Sequence, residues 1–199
     1  MLALIVIAHP STTSMSHAMA AEAQRSLEQF GYRLVTHDLY AERFDPVQRT
    51  NESQNTISGD PLVERYCSEV SRADLILIFH PNWWGQPPAI LKGWIDRVLR
   101  LDTAYRYAEN AGYSSVPIGL LKARYALVFN TSNTPVEREM TVFGDPLEQI
   151  WRHCIFDFCG VKNVIRRMYG PVSGSTPEER ARWLAEIAEL VRGVAQVNI

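Results

Sequence analysis

The chain has 199 residues, 46% of them hydrophobic, with 20 Lys and Arg against 22 Asp and Glu and a formal net charge of −2 at pH 7. That size fits a single α/β domain, here taken as residues 1–199, with ample material for a core. The basic residues are scattered rather than gathered into a stripe for nucleic acid or a membrane surface, and no apolar run approaches the ~18 residues of a membrane span.

In chain order, Leu2 to Ala8 reads as a first strand, apolar throughout as in a parallel sheet covered on both faces. The opening MLALIVIAHP has no positive n-region, and His9-Pro10 closes its short apolar run, so a core strand is expected rather than a leader. A helix follows from about His17 to Phe30, then a second strand from Tyr32 to His37. Asp38 to Ser58 is polar and turn-rich, either a surface excursion or a lid. Leu62 to Ala73 reads as a helix and Asp74 to Phe79 as a third strand, which ends in a loop of two tryptophans, three prolines and a glycine. A proline-opened helix spans about Pro88 to Leu101. An irregular segment, Asp102 to Leu121, carries Tyr105, Tyr107 and Tyr113. Tyr125 to Asn130 is the fourth strand, Asp145 to Cys159 a helix ending at Gly160, and Asn163 to Met168 the fifth strand. The last helix opens with a capping box in which Thr176 caps, Pro177 takes the first helical position and Glu179 reaches back.

Five alternations of strand and helix predict a parallel sheet with helices on both faces, a three-layer sandwich in the strand order 2-1-3-4-5. In that topology the loops after strands one, three and four converge at the switch point. The first, His9 to Ser16, is rich in hydroxyls and runs into a helix N-terminus; it suits a phosphate, or merely N-caps the helix through Ser14 or Ser16. The second, Pro81 to Pro88, is stiffened by proline, and its tryptophans are expected to point different ways, one beside a flat ring and one packed inward; a core aromatic pair bracing the helix is the alternative. The third, Asn130 to Pro135, is either a backbone-presenting wall or a plain polar turn. There is no GxGxxG and no Walker A sequence.

Metal chemistry finds no support. His9, His17, His37, His80 and His153 are far apart in sequence, and Cys67, Cys154 and Cys159 have neither zinc nor redox spacing. Reduced thiols of a cytoplasmic protein are expected, with Cys154 and Cys159 acting as small hydrophobes.

The segments LIVIAHP, DLYAERFDPV, PNWWGQPPAILKGWIDRVL and FGDPLEQIWRHCIFDFCGV together resemble the NAD(P)H:quinone oxidoreductase family, flavoproteins of flavodoxin-like fold. The resemblance spans essentially the whole chain. It implies a non-covalent flavin, FAD or FMN, and NAD(P)H as hydride donor to a quinone or similar flat acceptor. His9, Thr13, Met15 and Ser16 match positions around the flavin phosphate and ribityl chain. Pro81, Asn82, Trp84 and Gly85 match the segment lining the ring, with Trp83 adjacent, and Thr131, Ser132 and Asn133 the loop at its polar edge. Tyr105 and Tyr107 match aromatics that cover the substrate side, often from the second subunit of a homodimer. The chain departs from the best-known animal members in two places: Phe143 stands where they have a histidine before Gly144-Asp145, and the loop after the fourth strand has no tyrosine. Their proton relay does not carry over; Glu137 is the candidate substitute, with an exposed glutamate as the alternative. No single indispensable catalytic side chain is expected. A flavodoxin-type electron carrier and a regulatory subunit of a potassium efflux system remain as rival readings.

Overall fold

The computed structural model describes residues 1–50, 52, 57–108 and 116–198. Five parallel strands form the sheet: β1 (Leu2–Ile7), β2 (Arg33–Asp38), β3 (Leu75–Pro81), β6 (Tyr125–Thr131) and β7 (Asn163–Tyr169), in the order β2-β1-β3-β6-β7. This is the expected order once a two-stranded antiparallel ribbon, β4 (Tyr105–Arg106) and β5 (Ile118–Gly119), takes two numbers inside the segment read as irregular. Tyr113 lies outside the described residues. Every residue of β1 and β3 is buried, as a strand covered on both faces requires.

The helices are α1 (Met15–Glu28), α2 (Pro61–Arg72), α3 (Ala89–Val98), α4 (Val136–Thr141), a single turn α5 (Pro146–Glu148) continuing into a π-helix at Gln149–Asp157, and α6 (Pro177–Asn198). Local chemistry sets most of their starts. Ser14 caps α1, accepting from the His17 N–H at 3.3 Å, so the helix begins two residues before the expected His17. Asp60 caps α2 ahead of Pro61. In α6 the capping box closes both ways: Glu179 Oε2 accepts from the Thr176 N–H at 2.8 Å, and Thr176 Oγ1 from the Glu179 N–H at 3.2 Å.

Two elements add to the sequence reading. Val136–Thr141 is a helix that the sequence pattern does not announce. The expected helix Asp145–Cys159 is mostly π-helix, entered from Asp145 in the left-handed region at φ 47°. Its buried positions Leu147, Trp151 and Ile155 recur every fourth residue, a spacing that fits an α-helix and a wider helix alike, so periodicity does not separate the two.

α1 and α6 cover one face of the sheet, with Met19, Leu27, Ile187 and Val191 packed on Phe79 and Phe129. α2, α3 and the π-helix cover the other, bringing in Tyr66, Trp94, Trp151 and Phe156. Each such large side chain removed from water contributes about 1.5–3 kcal/mol, before the entropy of ordering it is set against that gain. The Asp38–Ser58 excursion is pinned to α3. Phe44 is buried in the core, and a Cβ on Gly93 would fall 2.3 Å from the Pro46 carbonyl oxygen, so only glycine lets the loop lie against the helix. Cys67 and Cys159 are buried, whereas Cys154 is exposed on the π-helix and is no core hydrophobe.

Candidate functional site

β3, β6 and β7 end in register at Pro81, Thr131 and Tyr169, and the connections leaving this edge surround a cavity of about 590 Å³. The loop from β1 into α1 contributes His9, Thr13, Ser14 and Met15; the loop after β3 contributes Pro81, Asn82 and Trp83; the loop after β6 contributes Thr131, Ser132 and Asn133. Nine of the twelve expected cofactor positions therefore meet at one place. The remaining three, Ser16, Trp84 and Gly85, do not line this cavity.

The first wall is a helix N-terminus. Early amides of a helix have no partner four residues back, and the dipole adds a partial positive charge. Ser16, in the first turn of α1, is 1% exposed, and its hydroxyl has no hydrogen-bond partner among the described residues. No acidic residue stands in that first turn. Arg180 of α6 lines the same cavity, and no carboxylate does among the described residues. A helix N-terminus and a guanidinium make this end of the cavity complementary to an anion, and the unsatisfied Ser16 hydroxyl lies buried in the same first turn behind its lining. His9 receives the Ser11 N–H on Nδ1 at 3.0 Å. Burial holds its pKa below the ordinary histidine value, opposed by the Ser11 carbonyl oxygen 3.2 Å from the same nitrogen and assisted by the nearby His17.

The second wall is a tight hairpin. Trp83 and Gln86 exchange both backbone hydrogen bonds, at 3.1 and 3.0 Å, and the residues between them, Trp84 and Gly85, have φ of 57° and 70°. Positive φ at both central positions is the type I′ geometry. Gly85 is needed twice over, for its conformation and because a Cβ would fall 2.7 Å from Pro146 Cγ. Trp84 adopts the left-handed conformation at a cost of about 1–2 kcal/mol and stands 100% exposed at the tip. Trp83 is 42% exposed, so neither tryptophan packs inward as expected, because the hairpin carries both out of the core. Asn82 organises the turn. Its N–H donates to the Thr131 carbonyl at 2.6 Å, its Oδ1 accepts from the Gly85 N–H at 3.0 Å, and its Nδ2 donates to Glu139 Oε1 at 2.9 Å.

Behind the loops lies a buried polar network. His80 Nδ1 donates to the Pro81 carbonyl at 2.8 Å, while Nε2 accepts from Trp151 Nε1 at 2.9 Å and Asn130 Nδ2 at 2.6 Å. Asn130 Oδ1 accepts from Arg166 Nη1 at 3.0 Å, and Arg166 pairs with Asp145 and Glu148. Complete burial, opposed by the hydrogen bond to Pro81 and assisted by Arg166, lowers the His80 pKa to about 4, which fits a neutral ring that accepts on Nε2.

A second cavity, of about 450 Å³, adjoins the first through Asn82 and Thr134, which line both. Trp84, Gly85, Glu139, Phe143 and Pro146 complete it. Trp84 and Gly85 thus belong beside the first cavity rather than on its wall. Glu137 is exposed and lines neither cavity; the helical turn of α4 brings Glu139 to the site in its place. Tyr105 and Tyr107 line neither cavity in this chain: Tyr105 packs edge-on against Phe158 at 4.8 Å and Tyr107 at 6.0 Å. Glu139, Arg180, His80 and Arg166 were missed from the sequence. Each is reached through tertiary contacts, and only the histidine count had drawn attention to His80.

A family model described as Flavodoxin-like fold matches residues 1–191. An uncharacterized NAD(P)H oxidoreductase of Haemophilus influenzae is 34% identical over 176 residues, 85% of this chain and 83% of the relative. NAD(P)H dehydrogenase [quinone] 1 of Rattus norvegicus is 28% identical over 92% of this chain and 73% of its own length. The solved structure of an NAD(P)H:quinone oxidoreductase from Methanothermobacter marburgensis superposes with a TM-score of 0.82 at 26% identity, covering 98% of this chain and 96% of that one. With the strand order and the convergent loops, these likenesses establish that the chain belongs to the flavodoxin-like fold family.

Proposed function

We propose that the chain is a flavin-dependent NAD(P)H oxidoreductase that passes two electrons, as hydride, from NAD(P)H through a bound flavin to a quinone or similar flat acceptor. The observation that carries this reading is the adjacency of two unlike cavities: an anion-suited one at the α1 N-terminus and an aromatic-walled one at Trp84 and Phe143. Relatives named for NAD(P)H and quinone support the donor and the acceptor class. A bound flavin supplies the two-electron chemistry that the side chains here lack.

The residues divide the work accordingly. The first turn of α1, with Thr13, Ser14, Ser16 and Arg180, suits the phosphate end. Pro81, Asn82 and Trp83 suit one side of the ring system, and Thr131, Ser132 and Asn133 its polar edge. Backbone amides in these proline-stiffened and capped loops are already oriented, so they stabilise developing negative charge without reorganising. Trp84 and Phe143 offer apolar faces to a flat acceptor and exclude water beside it. The exposed Val136, Met140, Val142 and Phe143 beside Trp84 form an apolar surface that a second copy of the chain would cover, which supports a homodimer. Three free cysteines and the absence of a helix long and apolar enough to cross a membrane, among the described residues, are compatible with the cytoplasm. The whole chain is read as one domain.

The test is direct. Heating the purified protein should release a yellow chromophore that chromatography identifies as FMN or FAD. NADH or NADPH oxidation should then depend on an added naphthoquinone with no partner protein present. An electron carrier would need a separate reductase to turn over. A protein that binds neither flavin overturns the proposal.

A further inference from the structure

The second cavity contains one ionisable side chain among its described lining residues, Glu139. Glu139 is 2% exposed, and its Oε1 accepts from Asn82 Nδ2 at 2.9 Å. No ion pair to it is found among the described residues. The charged and titratable groups of the surrounding segments are engaged elsewhere: Asp145 and Glu148 with Arg166, Arg138 over the Phe143 ring at 5.2 Å, and His80 with Pro81, Trp151 and Asn130.

A buried carboxylate with one neutral partner is costly. Glutamine would accept the same hydrogen bond from Asn82 and fix the hairpin equally well, without a charge to bury. What the carboxyl group adds is a proton that it can give up and regain. It does so in a cavity walled by Trp84 and Phe143, the place where the proposed function seats a flat carbonyl acceptor.

We propose that Glu139 is a catalytic residue, the group that passes a proton between water and the acceptor oxygen. This rests on the oxidoreductase reading above. In the balanced reaction NAD(P)H gives up a hydride, which carries the electron pair and one hydrogen. The O–H bond of Glu139 breaks as an O–H bond forms on one acceptor oxygen, so the acceptor gains two electrons and two protons in all. The resulting carboxylate takes a proton back from water. Glu137, two residues earlier, has the right chemistry but faces solvent.

The test compares the flavin-loaded native protein with Glu139→Gln, which keeps an acceptor for Asn82. Two electron acceptors are used: a naphthoquinone, which must be protonated, and ferricyanide, which needs no proton. The quinone rate should fall about 100-fold, the usual worth of a positioned general acid. The ferricyanide rate should fall less than about threefold, since ferricyanide makes no demand on a proton donor. A second readout needs no turnover. Bound 4-nitrophenol should lose its proton at a pH about one unit higher in the native protein than in Glu139→Gln, because the carboxylate repels the phenolate. If Glu139→Gln fails to hold flavin, Glu139→Ala with added formate takes its place, and formate should restore quinone turnover. A native ratio of quinone to ferricyanide rates together with an unshifted nitrophenol titration overturns the inference. The same holds for a Glu139→Ala protein that formate does not rescue and that leaves the nitrophenol titration unshifted. Absence of quinone turnover in the native protein overturns the proposed function instead.

Discussion

Trp151 Nε1 donates a hydrogen bond to His80 Nε2 at 2.9 Å, joining residues 71 apart in the chain. The bond ties the π-helix to the penultimate residue of β3. On its other side the same imidazole donates to the Pro81 carbonyl, where the cofactor-side loop begins. His80 therefore transmits the position of the packed helix layer to the loop that lines both cavities.

The network depends on a neutral ring, since a protonated Nε2 would face two donors. The His80 pKa stands at about 4 against an ordinary 6.5, with burial the main cause. Between those values the unfolded chain binds the proton and the native state does not, so the stability His80 lends is complete above pH 6.5 and lost as pH falls towards 4. The loss amounts to about 3 kcal/mol, because a tenfold difference in proton affinity between the folded and unfolded chain is worth about 1.4 kcal/mol. Urea denaturation between pH 7 and pH 5 should show it as a falling midpoint. In His80→Asn the midpoint should vary less over that range; an equally steep fall would remove His80 as the cause.

Ser16 separates ligand binding from folding. Its hydroxyl is buried without a partner, so Ser16→Ala should leave the stability of the flavin-free protein unchanged or raise it slightly. Flavin affinity should drop by about tenfold, the loss of one hydrogen bond to a charged group. Fluorescence titration of the flavin measures this, and equal affinity in the two proteins would place the phosphate elsewhere.

The hairpin tip trades stability for function. Trp84→Asn puts a residue that tolerates the left-handed region where Trp84 is strained, so stability should hold or rise by up to about 1 kcal/mol. The KM for a naphthoquinone should rise about tenfold as an aromatic face is lost. Gly85→Ala should instead lower stability by about 1–3 kcal/mol, through positive φ and the contact with Pro146. Thermal melts beside steady-state kinetics distinguish the two effects.

Arg97 holds the excursion between β2 and α2. It is 1% exposed and donates to Glu52 at 2.6 and 2.9 Å, to Asp60 at 3.0 Å and to the Asp45 carbonyl at 2.6 Å. Burial alone would raise the Glu52 pKa, but hydrogen bonds from Arg97 and Ser58 outweigh it and hold the value at about 2. Arg97→Met leaves that carboxylate buried and uncompensated, at a cost of about 3–5 kcal/mol. Urea midpoints at neutral pH should register the loss; Arg97→Met combined with Glu52→Gln should recover part of it.

Sequence alone determined what depends on neighbours along the chain. The strands were legible because β1 and β3 are buried on both faces and therefore apolar at every position but His80. Two helix starts were legible, at Pro88 and Thr176, because proline or a capping side chain sits within a few residues of the amides it serves, as between Thr176 and Glu179. Alternation and handedness then fixed the strand order, and with it the meeting of the three loops. Tertiary structure decided what depends on contacts across space. It chose Glu139 over Glu137 because the turn of α4 sends alternate residues to different surroundings. It turned Trp84 outward because a type I′ hairpin, held by Asn82 from one side and Pro146 from the other, leaves no room for it inside. It made a π-helix of Gln149–Asp157, a choice that four-residue spacing leaves open. It put His80 at the centre of a network, because its partners come from the ends of β3 and β6 and from the π-helix, segments that only the folded sheet brings within a hydrogen bond of one another.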